Sequence, residues 1–91
     1  MTISARTLEI TQVAAAAVIE KIGTDLVAID LSDQLVLSEV FLIATGQNVA
    51  QVDAIADEVE RQLIAFGEKP ARREKGAEWI LLDYSDLVVH I

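Results

Sequence analysis

The fold is decided by the stretch Glu78-Trp79-Ile80-Leu81-Leu82-Asp83-Tyr84-Ser85-Asp86-Leu87-Val88-Val89-His90-Ile91, which holds the only Trp, Tyr and His of the 91-residue chain. Two apolar runs flank the pair Ser85-Asp86, which is typical of a β-hairpin with a two-residue turn. In that register Leu82 lies opposite Val89, and Ile80 lies opposite Ile91. The terminal stretch therefore predicts two antiparallel strands.

The two faces of this hairpin differ in chemistry. One face is apolar and suited to the core: Ile80, Leu82, Tyr84, Leu87, Val89 and Ile91. The other, the mixed face, carries Trp79, Leu81, Asp83, Val88 and His90. A one-residue slip would bury Asp83, which favours the first register. The mixed face is either covered by further structure or binds a partner, since Trp beside aliphatic residues and charges is typical of interface hot spots.

The first half of the chain predicts one helix and two strands. Residues 5–22 lack Pro and Gly, follow the candidate cap Ser4 and end at Gly23. Leu8, Ala15, Val18 and Ile22 would share one face of this helix. The apolar runs 26–29 and 40–45 are predicted strands, and since neither alternates clearly, both are expected to be covered on both sides.

The second half predicts a helix and an edge strand before the hairpin. Asn48 and Gln51 match a capping box, and Gly67 provides the stop of this second helix. Residues 71–74 are polar enough for a sheet edge. The order helix, two strands, helix and two or three strands predicts a single α/β domain over residues 1–91.

Composition bears on the partners and the compartment. The formal net charge is −8, which disfavours direct nucleic-acid binding and favours a basic protein partner. The chain has no Cys and one His, so no metal site of thiolates or several His ligands can form. No apolar run is long enough to span a bilayer. We expect a cytoplasmic protein without membrane contact.

Few residues suggest catalysis. Asp30, Asp83 and Asp86 would be the carboxylates of an enzyme, but Asp86 lies in the predicted turn, where Asp usually bonds its own backbone. His90 lacks a recognisable nucleophile. Thr45-Gly46 ahead of a helix is only a weak anion-binding signal. We therefore expect no catalytic, cofactor or metal site.

The chain resembles the ribosomal silencing factor (Iojap) family. The matching motifs, in order along the chain, are residues 25–30 (Asp-Leu-Val-Ala-Ile-Asp), 41–46 (Phe-Leu-Ile-Ala-Thr-Gly), 51–57 (Gln-Val-Asp-Ala-Ile-Ala-Asp), 78–84 (Glu-Trp-Ile-Leu-Leu-Asp-Tyr) and 86–91 (Asp-Leu-Val-Val-His-Ile). The resemblance runs from about residue 8 to the last residue.

This resemblance implies a mixed sheet of about five strands with flanking helices, like the nucleotidyltransferase fold without its catalytic motif. It also implies a protein that binds protein fourteen of the large ribosomal subunit and blocks joining of the small subunit, which represses translation when nutrients are short. Some family members form homodimers. The family's binding surface maps to Trp79, Leu81, Asp83 and Tyr84.

The candidate partner-binding residues combine this mapping with the mixed face: Trp79, Leu81, Asp83, Tyr84, Val88 and His90. The hairpin register places Tyr84 nearer the core, so Trp79 is the stronger candidate. Two alternatives remain. One is a nucleotidyltransferase-like or phosphate-handling enzyme that uses Asp30, Asp83 and Asp86, and the other is a homodimerisation module.

Two departures from the family pattern affect the same region. The family usually continues past the histidine into a segment with aromatic and acidic residues, which we expect to be missing here. Such a segment would cover part of the mixed face. In the turn, Ser85 stands where the family more often has Gly, which leaves the turn type open.

Overall fold

A computed structural model describes residues 3–34 and 37–91 of the chain. It contains a five-stranded sheet and two helices. In chain order the elements are α1 (Ala5–Glu20), β1 (Thr24–Asp30), β2 (Val40–Thr45), α2 (Val49–Ala65), β3 (Arg72–Lys75), β4 (Ile80–Asp83) and β5 (Leu87–His90). Neither helix is long and apolar enough to cross a membrane, within these described ranges.

The strands lie in the order β1-β2-β5-β4-β3. Strands β2 and β5 are parallel, and the other three neighbouring pairs are antiparallel. The predicted fold class, a mixed sheet of about five strands with flanking helices, is confirmed. The central strand is β5, the last in sequence, and the predicted polar edge strand is present as β3, one residue later than expected.

The predicted hairpin register is confirmed. Leu82 pairs with Val89, and Ile80 and Ile91 exchange backbone hydrogen bonds of 3.1 and 2.9 Å. The turn is Ser85-Asp86, closed by the Tyr84 amide donating to the Leu87 carbonyl at 2.8 Å. Ser85 has a φ of 71°, a left-handed conformation that glycine adopts without strain, which explains why glycine suits this position.

Both helices pack on the same face of the sheet, and the core lies between them and the strands. It is built almost wholly from aliphatic side chains, with Tyr84 as its aromatic member: Ile10, Ala14, Ala17, Val18, Val40, Leu42, Ala44, Val52, Ile55, Ala56, Val59, Leu63, Ile80, Leu82, Tyr84, Leu87, Val89 and Ile91. The predicted coverage of β1 and β2 on both sides is wrong. Strand β2 is buried on alternate residues only, and β1 is mostly exposed.

The buried face of α1 also differs from the prediction. Leu8 and Ile22 are 49% and 75% exposed, whereas Ile10, Ala14 and Ala17 face the core. The two small alanines allow a close approach between α1 and α2. The sequence places Leu8 on one face with the buried Val18, because most positions of this helix are apolar and the periodic signal is weak.

Helix α1 ends in a Schellman motif whose left-handed residue is Ile22. The amides of Gly23 and Ile22 donate to the carbonyls of Val18 and Ile19, both at 2.9 Å. Ile22 has a φ of 61°, which is unfavourable for a β-branched residue. Glycine is required at position 23 by close packing and not by its backbone conformation, because a Cβ there would lie 2.6 Å from Cγ1 of Val18.

Helix α2 has the predicted boundaries. The side chain of Asn48 accepts a hydrogen bond from the Gln51 amide at 2.8 Å, and Gln51 Oε1 accepts one from the Gln47 amide. At the other end Gly67 has a φ of 96°, and the Glu68 amide donates to the Leu63 carbonyl at 2.8 Å. Both ends of the helix are thus satisfied by local residues.

Polar side chains of α2 join the two helices. Gln51 Nε2 donates to the carbonyls of Lys21 and Ile22 at 3.2 and 3.0 Å, which fixes the end of α1 against the start of α2.

Within α2, Glu58 is 7% exposed, and its carboxylate accepts hydrogen bonds from Arg61 and Gln62. These donors lower the pKa of Glu58 from 4.5 to about 2, with Arg61 as the main cause.

Replacing Ile22 by glycine should stabilise the protein. A side chain in the left-handed conformation costs roughly 1–2 kcal/mol, partly offset by the greater entropy of glycine in the unfolded chain. We expect Ile22→Gly to raise the free energy of unfolding by about 1 kcal/mol, measured by urea denaturation. The matched control is Ile19→Gly, a change inside the same helix that should lower it by about 1 kcal/mol. Equal effects of the two changes would contradict this account.

The lowered pKa of Glu58 makes stability depend on pH. The carboxylate form is favoured in the folded state, so its contribution is present above pH 4.5 and is lost as the pH falls toward 2. Glu58→Gln should therefore flatten the decline of unfolding free energy over this range. Glu9→Gln, on the exposed side of α1, measures the effect of removing a carboxylate alone. Parallel pH curves for wild type and Glu58→Gln would refute the prediction.

Candidate protein-interaction face

The side of the sheet opposite the helices is uncovered in the part of the chain that the structure describes. We call it the open face, and its members follow from the strand registers. They are Val27, Ile29, Arg72, Glu74, Trp79, Leu81, Asp83, Phe41, Ile43, Val88 and His90. An exposed sheet face with an apolar centre is typical of a protein-binding surface.

Apolar residues occupy the open face from β1 to β5. Paired residues of adjacent strands lie side by side, so Val27 adjoins Ile43, and Ile29 adjoins Phe41. Phe41 in turn lies beside Val88 of β5. Charged residues are confined to the β4 and β3 side, where Asp83 pairs with Arg72. The result is an apolar centre with a polar border on one side.

Trp79 is the largest exposed side chain of the face. It is 40% exposed, and its ring meets the imidazole of His90 edge to face, with centroids 5.6 Å apart. The indole rests on Gly76, where any side chain would overlap with the ring at Nε1 and Cε2. The Gly76 amide also donates to the Trp79 carbonyl at 2.9 Å. A glycine and a histidine together hold the ring in place.

A shallow depression of about 220 Å³ adjoins this ring. Its lining combines the ends of β2 and β5 with the start of α2: Ile43, Ala44, Thr45, Gly46, Val52, Glu78, Trp79, His90 and Ile91. Gly46 allows the close passage of the chain, because a Cβ there would lie 2.8 Å from Cγ2 of Val52. Glu78 at the rim makes the depression unsuited to an anion, against the weak anion-binding signal of Thr45-Gly46.

The structure brings together five of the six candidate partner-binding residues. Trp79, Leu81, Asp83, Val88 and His90 lie on the open face, although only 8% of Val88 is exposed between Phe41 and Asp83. Tyr84 lies on the opposite side, in the core under the helices, where it is also 8% exposed. Burial raises the pKa of its hydroxyl, which has no hydrogen-bond partner among the described residues.

Asp83 has a structural role as well as a place on the face. Its Oδ1 accepts a hydrogen bond from the Ser85 amide at 2.8 Å, which supports the left-handed turn residue. Its Oδ2 lies 3.5 Å from Nη2 of Arg72. A substitution of Asp83 would therefore alter the turn as well as the surface.

The carboxylates of the enzyme hypothesis do not come together. Strands β1 and β4, which carry Asp30 and Asp83, are separated by β2 and β5, a distance of about 14 Å across the sheet. Asp30 pairs with Val40 of the helix-covered face, whereas Asp83 belongs to the open face. Asp86 lies in the turn. No group of acidic or histidine side chains suited to a metal ion occurs in the described ranges.

Sequence reasoning missed the β1 and β2 half of the face. Val27, Ile29, Phe41 and Ile43 alternate with residues that are equally apolar, so periodicity could not tell an open side from a covered one. The number of predicted helices is the signal that points to an open face, because two helices cannot cover both faces of a five-stranded sheet.

The basic residues of β3 are held in ion pairs. Arg73 lies 3.0 Å from Asp57 and 3.4 Å from Glu60 of α2, and Lys75 lies 3.0 Å from Asp53. Their charges are thereby neutralised locally, which leaves no basic patch on this side for a phosphate backbone.

Comparison with known proteins identifies the family. The family described as "Ribosomal silencing factor during starvation" matches residues 4–91. The chain belongs to the ribosomal silencing factor family. The ribosomal silencing factor RsfS of Bacillus subtilis is 36% identical over 90% of this chain and 71% of its own length. That of Halalkalibacterium halodurans is 34% identical over 91% and 73% of the two lengths.

Solved structures agree with this assignment. A crystal structure of a Chromobacterium violaceum protein superposes with a TM-score of 0.87 at 33% identity, covering 99% of this chain and 73% of that one. A Bacillus halodurans crystal structure gives a TM-score of 0.84 at 35% identity, over 91% and 79% of the two chains. The predicted family is confirmed, and with it a ribosome-associated regulatory role.

The position of Trp79 should depend on Gly76. A methyl group at residue 76 would overlap with the indole, so Gly76→Ala should displace the ring from His90. Because Trp79 is the only tryptophan, its fluorescence maximum reports the change directly, and the ring-current shifts of the His90 protons should shrink. The control is Ala77→Gly at the neighbouring exposed position. Unchanged fluorescence and unchanged His90 chemical shifts in a folded Gly76→Ala variant would argue against the contact between the indole and Gly76.

Proposed function

We propose that this chain binds protein fourteen of the large ribosomal subunit through the open face and thereby blocks joining of the small subunit. The observation that carries the proposal is an uncovered sheet face with an apolar centre and an exposed Trp79, in a chain of net charge −8. Membership of the ribosomal silencing factor family supports a role in silencing ribosomes during starvation. In this role the protein acts in the cytoplasm as a regulator of translation and needs no cofactor.

The chemistry of the face suits a basic protein. Acidic charge speeds the approach of such a partner and makes the association rate fall with salt, while burial of the apolar centre sets the residence time. Trp79 is placed to be the main anchor, because it is large, partly exposed and held by Gly76 and His90 before binding. Leu81, Ile43 and Phe41 supply the surrounding apolar contact.

Removing the anchor should weaken binding strongly. Trp79→Ala is expected to cost roughly 2 kcal/mol or more of binding free energy, an increase of about thirtyfold in Kd for isolated protein fourteen. The matched control is Phe66→Ala on the helix side, an aromatic residue of similar exposure at 37%. Calorimetric titration measures both, with thermal unfolding as the check on folding. Unchanged affinity in a folded Trp79→Ala variant would overturn the proposed face.

Activity on ribosomes is tested separately. The wild-type chain should sediment with large subunits and slow subunit joining in a light-scattering assay, and Trp79→Ala should lose both effects. Association with small subunits alone would refute the proposal. Self-association through the same face is distinguished by sedimentation of the chain alone at several concentrations, where a dimer lost on Trp79→Ala would indicate a homodimerisation module instead.

A further inference from the structure

Strand β1 is an exposed edge with an apolar sequence. Val27 and Ile29, on the open face, are 50% and 39% exposed, and Ala28 is exposed on the opposite side. Leu26 packs against the core, whereas residues 27–30 of β1 are exposed on both faces of the sheet. Beyond β1 the described part of the chain adds no further strand. An apolar edge of this kind is a template for another strand.

The backbone of β1 has its free groups at Ala28 and Asp30. The Val40 amide donates to the Asp86 carbonyl at 3.0 Å, so the backbone of Val40 faces β5. Alternate residues of β2, beginning with Phe41, therefore face β1, and their partners Val27 and Ile29 bond inward. The amide and carbonyl groups of Ala28 and Asp30 consequently point away from the sheet.

The opposite edge of the sheet is protected. Strand β3 consists entirely of charged residues, and its Arg73 and Lys75 are tied to α2 by ion pairs of 3.0 Å each. Charged side chains on an edge discourage pairing with another strand. Strand β1 has no charged side chains over residues 27–29, so this edge can pair with another strand more readily than the β3 edge can.

The usable part of the β1 edge is short and acidic at its ends. An irregularity between Thr24 and Val27, with Asp25 at a φ of 51°, interrupts the ladder. Residues 27–30 remain, a length of about 13 Å. Asp25 precedes this segment and Asp30 ends it, and both residues are exposed. A matching strand would be short, apolar in the middle and basic at its ends.

We infer that the outer edge of β1 pairs with a short extended segment of the basic protein partner, which continues the sheet by one strand. This inference rests on the proposed function and adds a second contact beside the open face. Val27 and Ile29 belong both to β1 and to the open face, so the two contacts adjoin each other. A second copy of this chain is the less favourable occupant. It would oppose two chains of net charge −8 and place Asp25 and Asp30 of both copies along one short ladder.

The test compares two substitutions of Ala28 in the full chain. Ala28→Pro removes an outward amide without breaking a ladder bond to β2, which edge strands tolerate. It should raise the Kd for isolated protein fourteen about tenfold. Ala28→Thr keeps the amide and should change the Kd by less than about twofold. Thermal unfolding of both variants checks that the fold is retained.

Hydrogen exchange gives a readout that needs no substitution. On binding of protein fourteen to the wild-type chain, the amides of Ala28 and Asp30 should exchange at least about tenfold more slowly. The inward amides of Val27 and Ile29 are the internal reference. The edge contact alone is overturned by three results together. Binding is lost in Trp79→Ala, the Kd of Ala28→Pro equals that of the wild type, and the Ala28 amide is not protected on binding. Absence of wild-type binding overturns the proposed function as well.

Sedimentation tests the other occupant. If the wild-type chain forms a dimer by itself and Ala28→Pro abolishes that dimer, the edge belongs to a second copy and the inference of a basic partner is wrong. A monomeric wild type together with amide protection by protein fourteen supports the inference.

Discussion

The rest of the structure depends on the packing of both helices against one side of the sheet. Two helices at the usual spacing of 8–10 Å cover the inner strands of one face and leave nothing for the other face. Ala14 and Ala17 of α1 allow this close packing, and Gln51 fixes the end of α1 to the start of α2. In the described part of the chain the opposite face of the sheet therefore stays uncovered.

The exposed face is organised by the terminal hairpin. Because β5 returns to the centre of the sheet beside β2, its outward residues Val88 and His90 join the β1 and β2 residues to those of β4 in one continuous surface. Trp79 stands at the border of that surface, supported by Gly76 from below. Preorganised aromatic groups lose little entropy on binding, which suits an anchor. Because Arg73 and Lys75 of β3 form ion pairs with α2, these two basic residues do not offset the excess acidic charge elsewhere in the chain.

The hairpin was predictable because its alternation of core and mixed residues allowed one register and turn. The α2 boundaries were equally clear from Asn48 and Gly67, whose local geometry decides the helix ends. The burial of β1 and β2 was not predictable from their own residues, since both alternating sets are apolar. Nor was the left-handed Ile22, because the adjacent Gly23 looked like the stop and is instead required for close packing with Val18. The family resemblance supplied the functional assignment, which residue chemistry alone left among several classes.

The difference between the two sheet edges also limits assembly. A sheet with two open edges can add strands at both ends, and repeated head-to-tail addition gives fibres. Here the charged and ion-paired β3 ends the sheet on one side, so any strand that joins β1 completes the structure rather than starting a chain of copies. Growth by strand addition stops after one step. The same asymmetry lets a small protein keep an apolar edge available for binding without becoming a seed for aggregation.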